Sequence, residues 1–194
     1  KYVAHEFLRP ALRHDPPARL LVREASASAL VTALATHDLD VVITDAPLGP
    51  DMHVRAFNHL LGESGGSIYG TTARVRDVRR RFPASLTGAP MLLPTEGTTL
   101  RRTLDQWFTA HDIRPNIVGE FDDTALLKVF GQAGVGLFPA PTALDKAIRR
   151  QYGVALAGRL DDVRERFYAI SVERRLKHPA VVAISEAART TLGA

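Results

Sequence analysis

Apolar residues along the chain alternate between helical and strand-like spacing. Val3, Phe7 and Ala11 share one helical face, widened by Leu8 and Leu12. The run RLLVR (19–23) predicts a short strand, residues 27–36 a helix with Leu30, Ala33 and Leu34 on one side, and VVIT (41–44) an apolar strand. Strand, helix and buried strand make a βαβ unit. The same unit recurs as MLL (91–93), a helix over about 98–110, IVGEF (117–121), a helix over about 124–132, and VGLF (135–138). Between the two series, GESGGSIYGTT (62–72) reads as a glycine-rich connection. RFYAISVE (166–173) and a helix carrying Val181, Ile184, Ala188 and Leu192 have no sheet of their own. Their economical place is with the N-terminal series. The expectation is therefore an α/β chain of two lobes, each a sheet flanked by helices, joined by two crossover strands: 1–66 with 165–194, and 67–164.

In open α/β sheets, ligands sit at the carboxyl ends of strands, where helix N-termini offer unpaired N–H groups and a positive dipole end. LLPTEGTTLRRTLDQWF (92–108) builds such a corner: a strand stops at Pro94, and Thr95, Glu96, Gly97, Thr98 and Thr99 lead into an amphipathic helix. Thr95 or Thr98 can cap it, Gly97 permits close backbone approach, and Leu100, Leu104, Trp107 and Phe108 anchor its far side. Capping alone would explain one such corner. EFDDTALL (120–127), REASAS (23–28) and ITDAP (43–47) repeat the pattern, and four polar corners favour a binding crevice.

Composition narrows the chemistry. The 194 residues contain no cysteine, which removes thiolate catalysis, disulfides and Cys-type zinc sites together. The seven histidines form no H-x-x-x-H pair, and His53 and His59 read as surface residues. Net charge is +4, with Arg74, Arg76, Arg79, Arg80 and Arg81 the densest basic cluster; few aromatics interleave, and its simplest reading is a solvated helix face. No apolar run is long enough to span a bilayer and no leader peptide opens the sequence, so a soluble, cytoplasmic chain is expected, with no membrane partner. Ser64 in GESGG matches a nucleophile-elbow pattern, but SIYGTT follows where the elbow needs a helix. GQAGVG (131–136) ends a helix and opens a strand, the reverse of a dinucleotide fingerprint, which leaves Gly134 as a residue just past a helix end. No nucleophile, base and orienting group come together, and no cofactor is implied. Glu96, Asp122 and Asp123 could offer oxygen ligands to a hard cation such as sodium, or could cap helices.

HEFLRPAL, LDVVITDAP, LLPTEGTTLRRTLDQWF and NIVGEFDDTALLKVFGQAGVGLFPAP resemble the effector-binding domain of LysR-type transcriptional regulators. TEGTTLRR and FPAPTALDKAI are similar in particular to the NhaR-like group, which activates sodium/proton antiporter genes. The resemblance implies a two-lobed, periplasmic-binding-protein-like (type 2) fold with an effector cleft between lobes, self-association as dimer and tetramer, and no catalysis. It implies that Ser26, Ser28, Asp45, Thr95 to Thr99, Asp122, Asp123, Thr124 and Pro139 line the cleft. It also implies an N-terminal winged helix-turn-helix, through which alone DNA would be bound, and a first strand, both outside these 194 residues. The effector, whether sodium, a proton or an organic anion, stays open. The alternative is a solute-binding protein of the same fold serving a transporter.

Overall fold

The computed structural model describes residues 1–13, 18–49 and 54–193. Two compact units emerge: a central one, Ser64–Glu165 with Lys1, and a terminal one, Tyr2–Glu63 with Arg166–Ala194.

The terminal unit opens with helix α1 (Tyr2–Leu8), which tightens into a 3-10 turn at Arg9–Arg13. Pro10 cannot donate a backbone hydrogen bond, and the tighter turn rotates Leu12 off the apolar face. Leu12 is 53% exposed, against the expectation that it widens the stripe, whereas Phe7 and Ala11 are fully buried. Helix α2 (Ala27–Ala35) and strand β1 (Val42–Thr44) form where expected, but the inward face of α2 is turned: Val31 and Leu34 are buried, while Leu30 and Ala33 are only half-buried. The segment 19–23 is not a strand. Leu21 and Val22 are 69% and 60% exposed, and only Leu20 packs against the core. A strand exists by its ladder, and β1 pairs instead with strand β6 (Ala155–Ser171), antiparallel, Val42 opposite Ile170 and Thr44 opposite Tyr168. The first expected βαβ unit thus lacks its opening strand. Helix α7 (Pro179–Leu192) starts with a proline, whose missing N–H costs nothing there, and closes on Gly193 in the left-handed region. Its Ile184, Ala188 and Leu192 join Phe7, Leu61 and Phe167 in one core, the Phe7 and Phe167 rings meeting edge to face at 5.9 Å.

Strand β2 (Phe57–Gly70) takes in most of the glycine-rich stretch without a break. Gly66 is there for space: a Cβ would lie 2.6 Å from Val163 Cγ1. The central unit continues with α3 (Thr72–Val78), β3 (Pro90–Pro94), α4 (Thr99–Ala110), β4 (Asn116–Phe121), α5 (Thr124–Gln132), β5 (Phe138–Pro141) and α6 (Asp145–Tyr152). Here the expected βαβ pattern holds. β3 and β4 are parallel, and Leu137 forms a parallel bridge with Met91 through Leu92 N–H to Leu137 O and Leu137 N–H to Pro90 O, both 2.8 Å. The strand expected at 135–138 begins at Phe138, and β5 pairs antiparallel with β2. β3 shows no alternation because both its faces are covered: Met91, Leu92 and Leu93 are fully buried. Leu104, Trp107 and Phe108 of α4 fill the same core beside Val75, Leu86 and Leu160.

Candidate functional site

Where β3 and β4 end side by side, α4 and α5 begin. Thr95 N–H donates to Phe121 O at 3.2 Å, extending the ladder one residue past Pro94. The Thr95 hydroxyl donates to Asp122 Oδ1 at 2.6 Å, so the first two corners are bonded to each other. Gly97 turns the chain with φ +86°. Thr98 is the α4 cap: its hydroxyl accepts from Arg101 N–H at 3.2 Å and donates to Thr95 O at 3.1 Å. Asp123 caps α5, accepting from Ala125 and Leu126 N–H at 2.7 and 3.3 Å. The Lys1 ammonium, 2.8 Å away, and the Ala125 N–H hold the Asp123 carboxyl below its ordinary range.

Two cations that the residue pattern did not single out stand behind this corner. Arg101 is 5% exposed. Its guanidinium donates to Pro94 O at 2.9 Å, to both Asp105 oxygens at 3.0 Å and to Glu120, and Glu96 Oε1 lies 4.0 Å away. It ties the first turn of α4 to the ends of β3 and β4. Arg101 and Asp105 stand four apart, a helix pair visible in sequence, but nothing in the residue string separates a buried arginine from a solvated one. Lys128, one turn into α5 and 6% exposed, donates to Thr124 O at 3.0 Å. Burial pushes its ammonium down to about 8, against the pull of Glu165 and Asp123.

Because the folded pKa of Lys128 is below that of a free lysine, the unfolded chain holds the extra proton between about pH 8 and 10.5. Stability therefore rises with pH across that window, and below it the cost of burying the charge is fully present. The parent is expected to gain about 2 kcal/mol more than Lys128→Met does between pH 7.5 and 10. Urea unfolding of both proteins at the two pH values measures it; parallel curves would show that the amine is not desolvated.

The remaining sequence candidates are placed differently. Ser26 caps α2, accepting from Ala29 N–H at 3.4 Å, and shares a 3.1 Å hydroxyl contact with Ser28. Asp45 is exposed just past β1 and, with Ala25 and Ala27, lines a largely apolar hollow of 490 Å³. These three residues belong to the terminal unit, while Thr95–Thr99 and Asp122–Thr124 belong to the central one. Pro139 is buried in β5 opposite Ile68. Ser64 is a sheet residue: its hydroxyl donates to Gly65 O at 2.9 Å and accepts from Ala143 N–H at 3.0 Å. Gly134 closes α5 at φ +80°, with Gly134 N–H on Gly131 O and Val135 N–H on Phe130 O. His59 bonds Ser171 and Glu173 O, whereas His53 lies outside the described residues. Among the described residues no three His, Asp or Glu side chains converge as a metal set, and Glu96, Asp122 and Asp123 are no exception. No described helix is long and apolar enough to cross a membrane.

A chain that builds one α/β unit from both its ends and inserts a second, with capped helix N-termini at its strand ends, is a bilobal ligand-binding domain of periplasmic-binding-protein-like, type 2 fold. It belongs to the LysR substrate binding domain family, which matches residues 1–193. Over 181 residues it is 33% identical to the transcriptional activator protein NhaR of Escherichia coli (strain K12), covering 93% of this chain. The chain spans 59% of the length of that relative. The reduced form of the regulatory domain of OxyR2 from Vibrio vulnificus superposes with a TM-score of 0.68 at 15% identity, covering 98% of this chain and 89% of that one. Full-length CbnR complexed with its target DNA gives 0.67 at 18%, covering 95% and 64%. At such identities these structures speak for the fold. The similar proteins are regulators rather than enzymes or transporter solute-binding proteins.

Proposed function

We propose that this chain is the effector-sensing part of a cytoplasmic transcription activator, and that its effector is a small anion held at the threonine corner. The observation that carries the reading is electrostatic. Two helix N-termini open there with Arg101 and Lys128 behind them, while most nearby carboxylates are engaged: Asp122 by Thr95, Asp123 by the α5 backbone, Glu120 and Asp105 by Arg101, with Glu96 alone standing 86% exposed and 4.0 Å from Arg101. A sodium ion would have to displace those bonds to collect oxygens. Binding would act on a DNA-bound full-length regulator through a separate N-terminal domain, with an antiporter gene the target that the NhaR likeness suggests. Exposed Leu126, Val129 and Phe130 of α5 beside Ile117 and Val118 of β4 support self-association through this apolar face.

Thermal shifts with inorganic phosphate, small carboxylates and sodium chloride against choline chloride test the reading, followed by calorimetry on Thr98→Val and Asp122→Asn. Loss of the cap lowers stability by about 1 kcal/mol, so folding is measured beside binding. An anion should stabilise the parent, bind at least tenfold more weakly to folded Thr98→Val, and keep its affinity for Asp122→Asn. If both variants bind like the parent, the corner is only a helix cap.

A further inference from the structure

The strongest feature outside the threonine corner is a band of arginines on the central unit. Val75 and Val78 turn into the core, which leaves Arg76 and Asp77 exposed on α3 and Arg79, Arg80 and Arg81 exposed on the 3-10 turn that extends it. Arg74 is partly buried and spends its Nε–H on Gly134 O at 3.0 Å. Asp77 is the one acid between Thr72 and Thr95. Among the described residues, none of Arg76, Arg79, Arg80 or Arg81 makes an ion pair, although Arg9, Arg101, Arg114, Arg149 and Arg166 all do. Beside this band, Arg80, Arg81, Asp77, Ala84 and Ser85 line a surface hollow of 650 Å³. A second 3-10 turn, Ala84–Leu86, forms its other wall and is pinned by Leu86 in the core.

We propose that this arginine band is a docking surface for the phosphodiester backbone of DNA, gripped at the hollow by Arg80 and Arg81. The cations are all arginine, whose planar guanidinium pairs two N–H groups with a phosphate and sheds water more readily than an ammonium. No exposed aromatic side chain interleaves with them, so the surface grips backbone and reads no bases. The choice of DNA over an acidic protein rests on the proposed role as part of a DNA-bound regulator. A duplex already held by another domain of the same protein presents its phosphates at high effective concentration, so that even a weak grip counts. A protein face would place carboxylates singly, whereas a duplex carries one charge per roughly 1.7 Å of axis and rewards a band of four cations with counterion release.

Fluorescence anisotropy of the 194-residue chain with labelled duplexes from 20 to 200 mM salt tests the proposal. Binding should be equal for operator and random duplexes and should fall steeply with salt. Arg80→Ala/Arg81→Ala should weaken it about tenfold at 50 mM and lower the log–log salt slope by about two. Arg174→Ala/Arg175→Ala in the terminal unit removes the same charge and should change affinity less than twofold. The assignment is overturned by any of four results: no salt-dependent binding by the parent, equal losses in the two double variants, preference for operator sequence, or displacement by polyglutamate as effective per charge as by DNA. Both double variants should keep the anion response of the threonine corner, so this proposal and the effector reading fail separately.

Discussion

Arg101→Ala is expected to lower stability by about 2 kcal/mol and the melting temperature by roughly 5 °C. The side chain is 7% exposed, and its removal leaves Pro94 O, Asp105 and Glu120 without their shared donor. Breaking a fully buried ion pair costs about 3–5 kcal/mol. Here the Asp105 and Glu120 side chains are 49% and 43% exposed, so water replaces part of what is lost and the figure falls below that range. Arg101→Lys should recover less than half, because one ammonium cannot span a carbonyl and two carboxylates with the fork of a guanidinium. The loss has a second reading at the corner. Without this clamp the first turn of α4 is no longer tied to the end of β3, and phosphate binding should weaken together with stability. Urea unfolding decides the matter: a variant within about 0.5 kcal/mol of the parent would show the clamp to be an ordinary surface pair.

A single methyl group at Gly131 should cost nearly as much. A Cβ there would lie 2.1 and 2.5 Å from Phe138 Cδ1 and Cε1. Phe138 is fully buried and stacks on Tyr69 at 5.9 Å, so its ring has nowhere to move without shifting a second aromatic. Overpacking of this kind costs about 3 kcal/mol, offset by about 1 kcal/mol from the better helix propensity of alanine, for a net loss near 2 kcal/mol. Gly131→Ala/Phe138→Leu should recover part of it by making room. If Gly131→Ala alone is neutral or stabilising, α5 is free to slide away from β5.

Legibility followed the density of local signals. α4 was readable from Leu100, Leu104, Trp107 and Phe108 together with a capping threonine, and α7 from four apolar residues in register. β3 was readable as a run covered on both faces. The long strands were only half visible. In β2 the glycines of 62–66 mimic a linker, and Gly66 is small because Val163 lies against it, a neighbour remote in sequence. In β6 the charged residues of 159–166 mask inward-facing Leu160 and Val163. Conversely, the apolar residues of 19–23 suggested a strand, yet pairing belongs to two segments and one segment's composition cannot supply it. At the corner, the threonines and Asp123 were legible as caps, whereas Arg101 and Lys128 were not. Their burial depends on what packs over them, and a basic residue on an amphipathic helix looks the same whether covered or wet.

The insertion of one unit within the other also sets an order of assembly. Ser64–Glu165 is a single unbroken stretch, so all its contacts, the remote one of Gly66 with Val163 included, can form once Glu165 has left the ribosome. The other unit draws Phe7 and Ala11 from one end of the chain and Phe167, Ala180, Ile184 and Ala188 from the other. That core stays incomplete until α7 has been synthesised, with the apolar face of α1 waiting through the synthesis of everything between. A nascent chain arrested before α7 would carry a finished central unit and an unfinished partner, and the waiting α1 face is the surface a chaperone would meet.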